Sequence, residues 1–298
     1  IGKAKRVDEA QGRYVEFCKN TFPKDLSLEG LKIVLDCSHG ATYQVAPKIF
    51  IELGADINTI GVGPNGTNIN DGCGSTSLEL LRSEVKKINA DLGIAFDGDG
   101  DRVLMVNSNG DKVDGDQLLF IIVRAAFEEN HFDSGVVGTL MTNLAFEENM
   151  KELGIGFSRS GVGDRYVSEM MQEKNWIYGG ENSGHILLKD FHTTGDGVIS
   201  ALQVLKAIKK RQISFDQAVS EINLYPQILL NIPFDKEIDL ETEEIQNSIH
   251  EAEKIMNNNG RVLLRKSGTE PLIRIMTEAK DKHHALDAAN LIKETITK

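Results

Sequence analysis

Long hydrophobic runs are missing from this sequence. The longest, Leu118-Leu119-Phe120-Ile121-Ile122-Val123, falls far short of the roughly 20 apolar residues that cross a bilayer. No membrane partner is expected, and no signal peptide is visible. Positive charge is also in short supply, with 33 Lys and Arg against 45 Asp and Glu for a net charge of −12. That balance speaks against nucleic acid as a partner, which asks for a basic face. It leaves room for phosphate ligands, because a few local arginines suffice for those. Cysteine is scarce: Cys18, Cys37 and Cys73 form no CxxC pair and leave an odd count. A disulfide framework is therefore not expected, and a reducing, cytoplasmic setting fits. There is no low-complexity segment and no initiator methionine. The stretch Ile1–Arg6 reads like mid-protein sequence, so an N-terminal part is expected to precede it.

What is present has the composition of a soluble globular protein, 40% apolar and 26% charged over 298 residues, enough for two or three compact units. A short run rich in Ile, Val and Leu (Leu31–Cys37) predicts a buried strand. A helical pattern over Gln44–Leu53, closed by Gly54, follows it. Strand Ala55–Ile60, helix Ser77–Asn89 and strand Ala90–Phe96 complete a βαβαβ unit, which implies a parallel sheet with helical crossovers. After a hairpin-like Val103–Val113, a helix at about Gln117–Glu129 opens a second unit of the same logic. Its parts are strand Val136–Met141, helix Leu144–Leu153, strand Ile155–Arg159, helix Arg165–Lys174 and strand Trp176–Gly179. The segments Glu52-Leu53-Gly54 and Glu152-Leu153-Gly154 occupy matching places in the two. Helix Gly197–Lys210 closes the second unit, and Leu224–Pro233 leads into a smaller one with helix Glu241–Asn257, strands Arg261–Arg265 and Leu272–Glu278, and a last helix from Lys282. The expected fold is α/β: two tandem α/β domains (1–111 and 112–222) with mixed, mainly parallel sheets, plus a small C-terminal α+β domain (223–298).

Asp97-Gly98-Asp99-Gly100-Asp101-Arg102 follows directly on a strand, where open α/β sheets place their ligands. Three carboxylates so close repel one another unless a cation holds them. Gly98 and Gly100 let the backbone curl so that the oxygens converge. Hard carboxylate oxygens with open positions suit Mg²⁺, which tends to be shared with a phosphate, and Arg102 beside them can grip a phosphoryl oxygen. An EF-hand is excluded, because its required Gly and Glu positions hold Arg102 and Ser108. A phosphatase-type nucleophilic aspartate and a plain solvated turn are the alternatives.

Two further loops carry chemistry. Gly180-Glu181-Asn182-Ser183-Gly184-His185 puts a carboxylate, an amide, a hydroxyl and an imidazole between glycines, matching the paired donors and acceptors of vicinal sugar hydroxyls. His185 can move a proton near neutral pH. Taken alone, the loop reads equally well as an ordinary polar turn. Between two strands, Arg265, Ser267, Gly268, Thr269 and Arg274 make an anion cradle without a catalytic base, which favours holding a phosphate over cleaving one; a β-turn with solvated charges is the plain reading. Gly61-Val62-Gly63-Pro64-Asn65-Gly66 spells GxGxxG, yet Pro64 removes an N–H and no helix begins there, so it reads as a surface turn. His283 and His284 open the last helix and are expected in solvent.

Together Asp97–Arg102, Gly180–His185 and Arg265–Arg274 resemble the metal-, sugar- and phosphate-binding loops of the α-D-phosphohexomutase family, in the same order and over essentially the whole chain. Asp36–Ala41, Val162–Val167 and Gly195-Asp196-Gly197 resemble its bacterial glucosamine-phosphate branch. The resemblance implies a four-domain enzyme of which this chain holds the second to fourth, the first carrying a phosphoserine. It implies interconversion of glucosamine 6-phosphate and glucosamine 1-phosphate through a bound 1,6-bisphosphate, en route to UDP-N-acetylglucosamine and cell-wall precursors. Mg²⁺ would sit on Asp97, Asp99 and Asp101, with Arg102 and His185 as catalytic groups. Glu181, Asn182 and Ser183 would hold the sugar, and Arg265, Ser267, Gly268, Thr269 and Arg274 the idle phosphate. The implied partners are the phosphosugar, the N-terminal domain and, as an open choice, a second copy of the chain. Glucose or mannose phosphates, or binding without catalysis, are the alternatives, and these residues alone are expected to be inactive. One departure stands out: Gly161 occupies a place where relatives usually carry lysine, leaving Arg159 or Arg165 as the substitute cation or the activity weaker.

Overall fold

The computed structural model describes residues 2, 7, 9–129, 132–234, 238–267 and 270–297. They fall into two compact units, residues 1–142 with 153–222, and residues 143–152 with 223–298. Each unit closes its own core.

The larger unit starts with helix α1 (Ala10–Asn20). Strands β1 (Lys32–Asp36), β2 (Asp56–Ile60) and β3 (Leu92–Phe96) alternate with helices α2 (Val45–Glu52) and α3 (Glu79–Ile88). β1 pairs in parallel with both β2 and β3. The chain then reverses: β4 (Val103–Asn107) runs antiparallel to β3, and β5 (Lys112–Val113) antiparallel to β4, giving the order β2-β1-β3-β4-β5. Every residue of β3 and β4 is buried, which is why they read as continuous apolar runs rather than alternating ones.

A second sheet repeats the plan. Strands β6 (Val136–Thr139), β7 (Phe157–Ser160), β8 (Tyr178–Gly180) and β9 (Ile186–Leu188) lie in the order β7-β6-β8-β9, with only the last pair antiparallel. Helices α4 (Gly115–Glu128) and α7 (Gly197–Arg211) pack on each other and touch strands of both sheets. Helix α3 covers the first sheet through Leu81 and Val85 against Val34, Ala95, Leu104 and Val106. Helix α6 (Asp164–Lys174) covers the second through Val167 and Met171 against Val137 and Leu187. Each such fully buried aliphatic contributes about 1.5–3 kcal/mol. A short helix α8 (Phe215–Ser220) ends the unit.

In the smaller unit, β10 (Gln227–Pro233), β11 (Gly260–Lys266) and β12 (Leu272–Ala279) form an antiparallel sheet in the order β10-β12-β11. Helices α9 (Glu243–Ile255) and α10 (Lys282–Ile296) cover it, burying Ile273, Ile275, Ala252, Ala285 and Ile292. Helix α5 (Leu144–Glu152) groups with this unit by its contacts. Just before α5, the Asn143 side chain donates to the Tyr225 carbonyl at 3.0 Å and accepts from its N–H at 3.0 Å.

The α/β class with mixed sheets and a small antiparallel C-terminal sheet is as expected from sequence. Helix α1, the single-strand extension β9 and helix α8 are additions. Helix α4 starts two residues earlier than its apolar pattern suggests, because Asp114 and Gln117 form a reciprocal capping box.

Candidate active site

The buried strand β3 delivers Asp97 at its carboxyl end. Asp97 Oδ1 accepts from the N–H groups of Gly100 and Arg102, each at 3.1 Å, curling the loop back toward β4. Two neighbours hold the curl from outside. The Ala41 N–H donates to the Gly98 carbonyl at 2.8 Å, and the Gly197 N–H donates to the Gly100 carbonyl at 2.9 Å. Gly40 lies so close to the Gly98 carbonyl that a Cβ there would overlap it. Gly100 itself takes φ +82°, open to glycine and strained for other residues.

With the backbone pinned, the side chains converge. One carboxylate oxygen from each of Asp97, Asp99 and Asp101 lies within 4.8 Å of the others. Asp97 is pushed up to about 7, chiefly by burial and then by its hydrogen bond and charge repulsion with Asp101. A divalent cation relieves that repulsion, and a set of three hard oxygens with open positions fits Mg²⁺. The Arg102 Nε stands 3.9 Å from Asp97 Oδ2 and from Asp101 Oδ1, beyond hydrogen-bond range.

The second loop joins β8 to β9 and lies against the first. Within it, the Glu181 N–H donates to the His185 carbonyl and the Gly184 N–H to the Glu181 carbonyl, both at 3.0 Å. Val103, first residue of β4, donates its N–H to the Gly184 carbonyl at 3.1 Å. Gly184 takes φ +93°, and a Cβ there would overlap the Val103 carbonyl. The Gly115 N–H donates to the Asn182 carbonyl at 3.1 Å. These backbone contacts anchor the loop to the first residue of β4 and to the start of α4.

His185 is the joint between the two. Its imidazole is 3% exposed, with Nδ1 3.1 Å from Asp101 Oδ2. Its Nε2 has no hydrogen-bond partner among the described residues and stands 3.9 Å from Asp164 Oδ2. Glu181 is buried and accepts the Gly163 N–H on Oε1 at 2.9 Å. The Ser183 hydroxyl is buried without a partner among the described residues.

The third loop belongs to the smaller unit. Arg265 on β11 and Arg274 on β12 are directly opposite in an antiparallel pair, a like-charge placement that costs energy unless an anion sits with it. Glu270 meets Arg274 Nη2 at 3.1 Å, while Arg274 Nε is buried without a partner among the described residues. The Ser267 N–H donates to the Leu272 carbonyl at 2.7 Å. Gly268 and Thr269 lie outside the described residues.

Thus Asp97, Asp99, Asp101, Arg102, Glu181, Asn182, Ser183 and His185 share one unit, and Arg265, Ser267 and Arg274 lie in the other. Three carboxylates stood in the family-like segments of the sequence without a role assigned to them. Asp36, fully buried, accepts from Ser38 N–H at 2.9 Å and Gly74 N–H at 2.7 Å, tying two loops together at the sheet's carboxyl edge. Asp164 opens α6 facing His185, and Asp196 caps α7 by accepting from the Ile199 N–H at 2.9 Å. The available signal was glycine before and after an acid at a helix start, in Gly163-Asp164 and Gly195-Asp196-Gly197. Of the candidate substitutes beside Gly161, Arg159 donates to the carbonyls of Thr139 and Thr142 at 3.0 and 2.6 Å, and Arg165 pairs with Glu169 at 2.7 Å. The GxGxxG run Gly61–Gly66 contains no helix start.

Family models match the chain in three consecutive stretches. They are phosphoglucomutase/phosphomannomutase alpha/beta/alpha domain II over residues 12–110, alpha/beta/alpha domain III over 114–225 and C-terminal domain over 229–294. Phosphoglucosamine mutase from Actinobacillus succinogenes is 52% identical over 297 residues, covering 99% of this chain and 67% of the relative. Phosphoglucosamine mutase from Haemophilus influenzae is 50% identical over 299 residues, covering 100% and 67%. The chain therefore spans about two thirds of the length of these relatives. Among solved structures, a phosphoglucomutase/phosphomannomutase family protein from Burkholderia thailandensis matches with a TM-score of 0.79 at 19% identity, over 97% of this chain and 64% of that one. Aspergillus fumigatus N-acetylphosphoglucosamine mutase, in complex with GlcNAc-6P and magnesium, matches with a TM-score of 0.77 at 18% identity, over 96% and 70%. At that identity the structural likeness carries the fold alone. No helix among the described residues is long and apolar enough to cross a membrane.

Proposed function

This chain belongs to the phosphoglucomutase/phosphomannomutase family, and from that premise we propose that it serves a mutase interconverting glucosamine 6-phosphate and glucosamine 1-phosphate. The observation that carries the reading is the joint at His185, where an acidic triad and a loop of sugar-matching groups are locked together at 3.1 Å. Relatives about half identical over the whole chain bear the phosphoglucosamine mutase name. In this proposal residues 1–111 carry the metal loop, 112–222 the sugar loop and 223–298 the phosphate loop.

The reaction asks for positioning and charge stabilisation more than for protein nucleophiles. Held by Asp97, Asp99 and Asp101, Mg²⁺ would neutralise charge that builds on the transferred phosphoryl group. Arg102, with its fork unspent on carboxylates, grips an oxygen of the same group. Asp101 holds the His185 ring through Nδ1, and the buried imidazole acts on the reaction through Asp101. Glu181 and Ser183 hold sugar hydroxyls in either orientation of the substrate, with Asn182 beside them. Arg265, Ser267, Gly268, Thr269 and Arg274 hold the phosphate that is not reacting. A phosphoserine gives its phosphoryl group to the free hydroxyl, forming the 1,6-bisphosphate. After the bisphosphate turns over, the serine oxygen takes the other phosphate and the isomeric monophosphate leaves. The 298 residues contain no Thr-Ala-Ser-His-Asn-Pro motif of the phosphoserine kind, so by themselves they bind metal and phosphosugar without turnover. The setting is cytoplasmic amino-sugar metabolism leading to UDP-N-acetylglucosamine.

The test is turnover of glucosamine 6-phosphate against glucose 6-phosphate by the gene's full product, with the 298-residue chain assayed alongside. The full product is expected to favour the amino sugar, and the chain to show no turnover. Preference for glucose 6-phosphate would overturn the substrate assignment. Robust turnover by the chain alone would overturn its inactivity.

A further inference from the structure

Tyr14 sits on α1, outside every loop discussed above, yet a short relay links it to the acidic triad. Its hydroxyl lies 2.9 Å from Asp196 Oδ2 and 3.1 Å from Oδ1, donating to that carboxylate. Asp196 Oδ1 also accepts the Ile199 N–H that opens α7. The next residue, Gly197, donates its N–H to the Gly100 carbonyl inside the acidic loop. There is no room to spare along this path. A Cβ on Gly197 would come within 2.7 Å of the Arg102 carbonyl, and one on Gly195 within 2.5 Å of His185 Nε2. Residues 195–197 are thus wedged between the imidazole and the backbone that presents Asp99 and Asp101.

We propose that Tyr14 is a positioning residue for the metal loop, acting through Asp196 and the first turn of α7. The inference rests on the reading of Asp97, Asp99 and Asp101 as metal ligands. Burial raises the Tyr14 hydroxyl's pKa, with the Asp196 charge adding to the effect. The phenol therefore stays a donor and keeps the carboxylate turned toward it. Asp196 is held at one end by the phenol and at the other by the helix cap, so its rotamer fixes where Gly197 meets Gly100. Tyr14, Gly195, Asp196, Asp99, Gly100 and Asp101 also wall one cavity of about 400 Å³, so loss of the phenol opens space toward the triad rather than toward the core.

A merely structural tyrosine would lower stability and leave the metal affinity of the folded chain alone. The discriminating measurement is Mn²⁺ affinity of the 298-residue chain by electron paramagnetic resonance, with urea unfolding in parallel. Tyr14→Phe is expected to weaken Mn²⁺ binding about three- to tenfold, at or below the roughly tenfold lower end for direct outer partners of metal ligands, because Tyr14 acts through Asp196. Asp196→Asn is expected to do the same, and the double variant to be no weaker than either single, because both act through one relay. Unchanged Mn²⁺ affinity in Tyr14→Phe overturns the inference whatever the unfolding midpoint. Should that variant not fold, unchanged affinity in Asp196→Asn overturns it equally, as do additive losses in the double variant. Failure of the unsubstituted chain to bind Mn²⁺ overturns the metal reading itself, and this inference with it.

Discussion

The two sheets of the larger unit are built to one plan and loaded with different chemistry. In β2-β1-β3-β4 and in β7-β6-β8-β9, three parallel strands hand over to an antiparallel fourth. In each, the loop at that reversal carries the candidate site, Asp97–Arg102 in the first and Glu181–His185 in the second. The surroundings differ. In the first sheet the long segment between β2 and α3 comes back over the site, with Ser75 N–H on the Phe96 carbonyl at 2.9 Å and Ile69 against Gly98. In the second the turn before α6 is short, and the helix start itself reaches the site through Gly163 on Glu181. An acidic loop needs its backbone braced against repulsion between its own carboxylates. A loop with a single carboxylate needs donors brought close to it, which a helix start provides. One scaffold meets both needs by changing only the length of a connection.

The lock between the two loops can be tested by substitution. The largest expected effect is at Gly184, where φ +93° and the Val103 carbonyl leave no place for a side chain. Gly184→Ala is expected to cost about 3 kcal/mol in urea unfolding. Loss well under 1 kcal/mol would mean that the two loops are not locked. Asp97→Asn is expected to weaken Mn²⁺ binding by about 100-fold, or ~2.8 kcal/mol, in a titration of the chain. No such loss is expected for Ser183→Ala, whose hydroxyl belongs to the second loop and not to the acidic triad. His185→Gln sits on the joint, and removing the imidazole that faces Asp101 is expected to cost about tenfold in Mn²⁺ affinity. An unchanged affinity would separate the loops into independent sites. The smallest effect is at Gly161, where a Cβ would meet nothing closer than the Tyr166 ring at 3.4 Å. Gly161→Ala is expected to stay within about 0.5 kcal/mol of the unsubstituted chain in the same unfolding assay.

Much of the fold was legible because its strands are central. Leu92–Phe96 and Val103–Asn107 are buried throughout, so they show as continuous apolar runs whose short length suits strands rather than helices. Gly54 and Gly154, expected just past helix ends, take φ +98° and +72°, as left-handed helix closures require. Helix α1 escaped notice because its sequence, Ala-Gln-Gly-Arg-Tyr-Val-Glu-Phe-Cys-Lys-Asn, buries only Val15 and Cys18. That is too thin an apolar stripe to show a helical period. Strand β9 was lost in Ile186–Leu188, three residues that continue a loop without punctuation. The start of α4 was hidden because Asp114 acts through a hydrogen-bond pair rather than through hydrophobicity.

By itself the sequence determined the local chemistry: three carboxylates spaced by glycines after a buried strand, a sugar-matching loop after another, and paired arginines flanking a turn. Local spacing suffices for these, because each loop's groups are neighbours in the chain. Only the tertiary structure decided that Asp101 and His185 meet at 3.1 Å, that Gly163 donates to Glu181, and that Tyr14 and Asp196 share a hydrogen bond across 182 residues. Those contacts join elements far apart in sequence, and sheet order and helix packing alone bring them together. No local pattern encodes a distance between strands that have not yet paired.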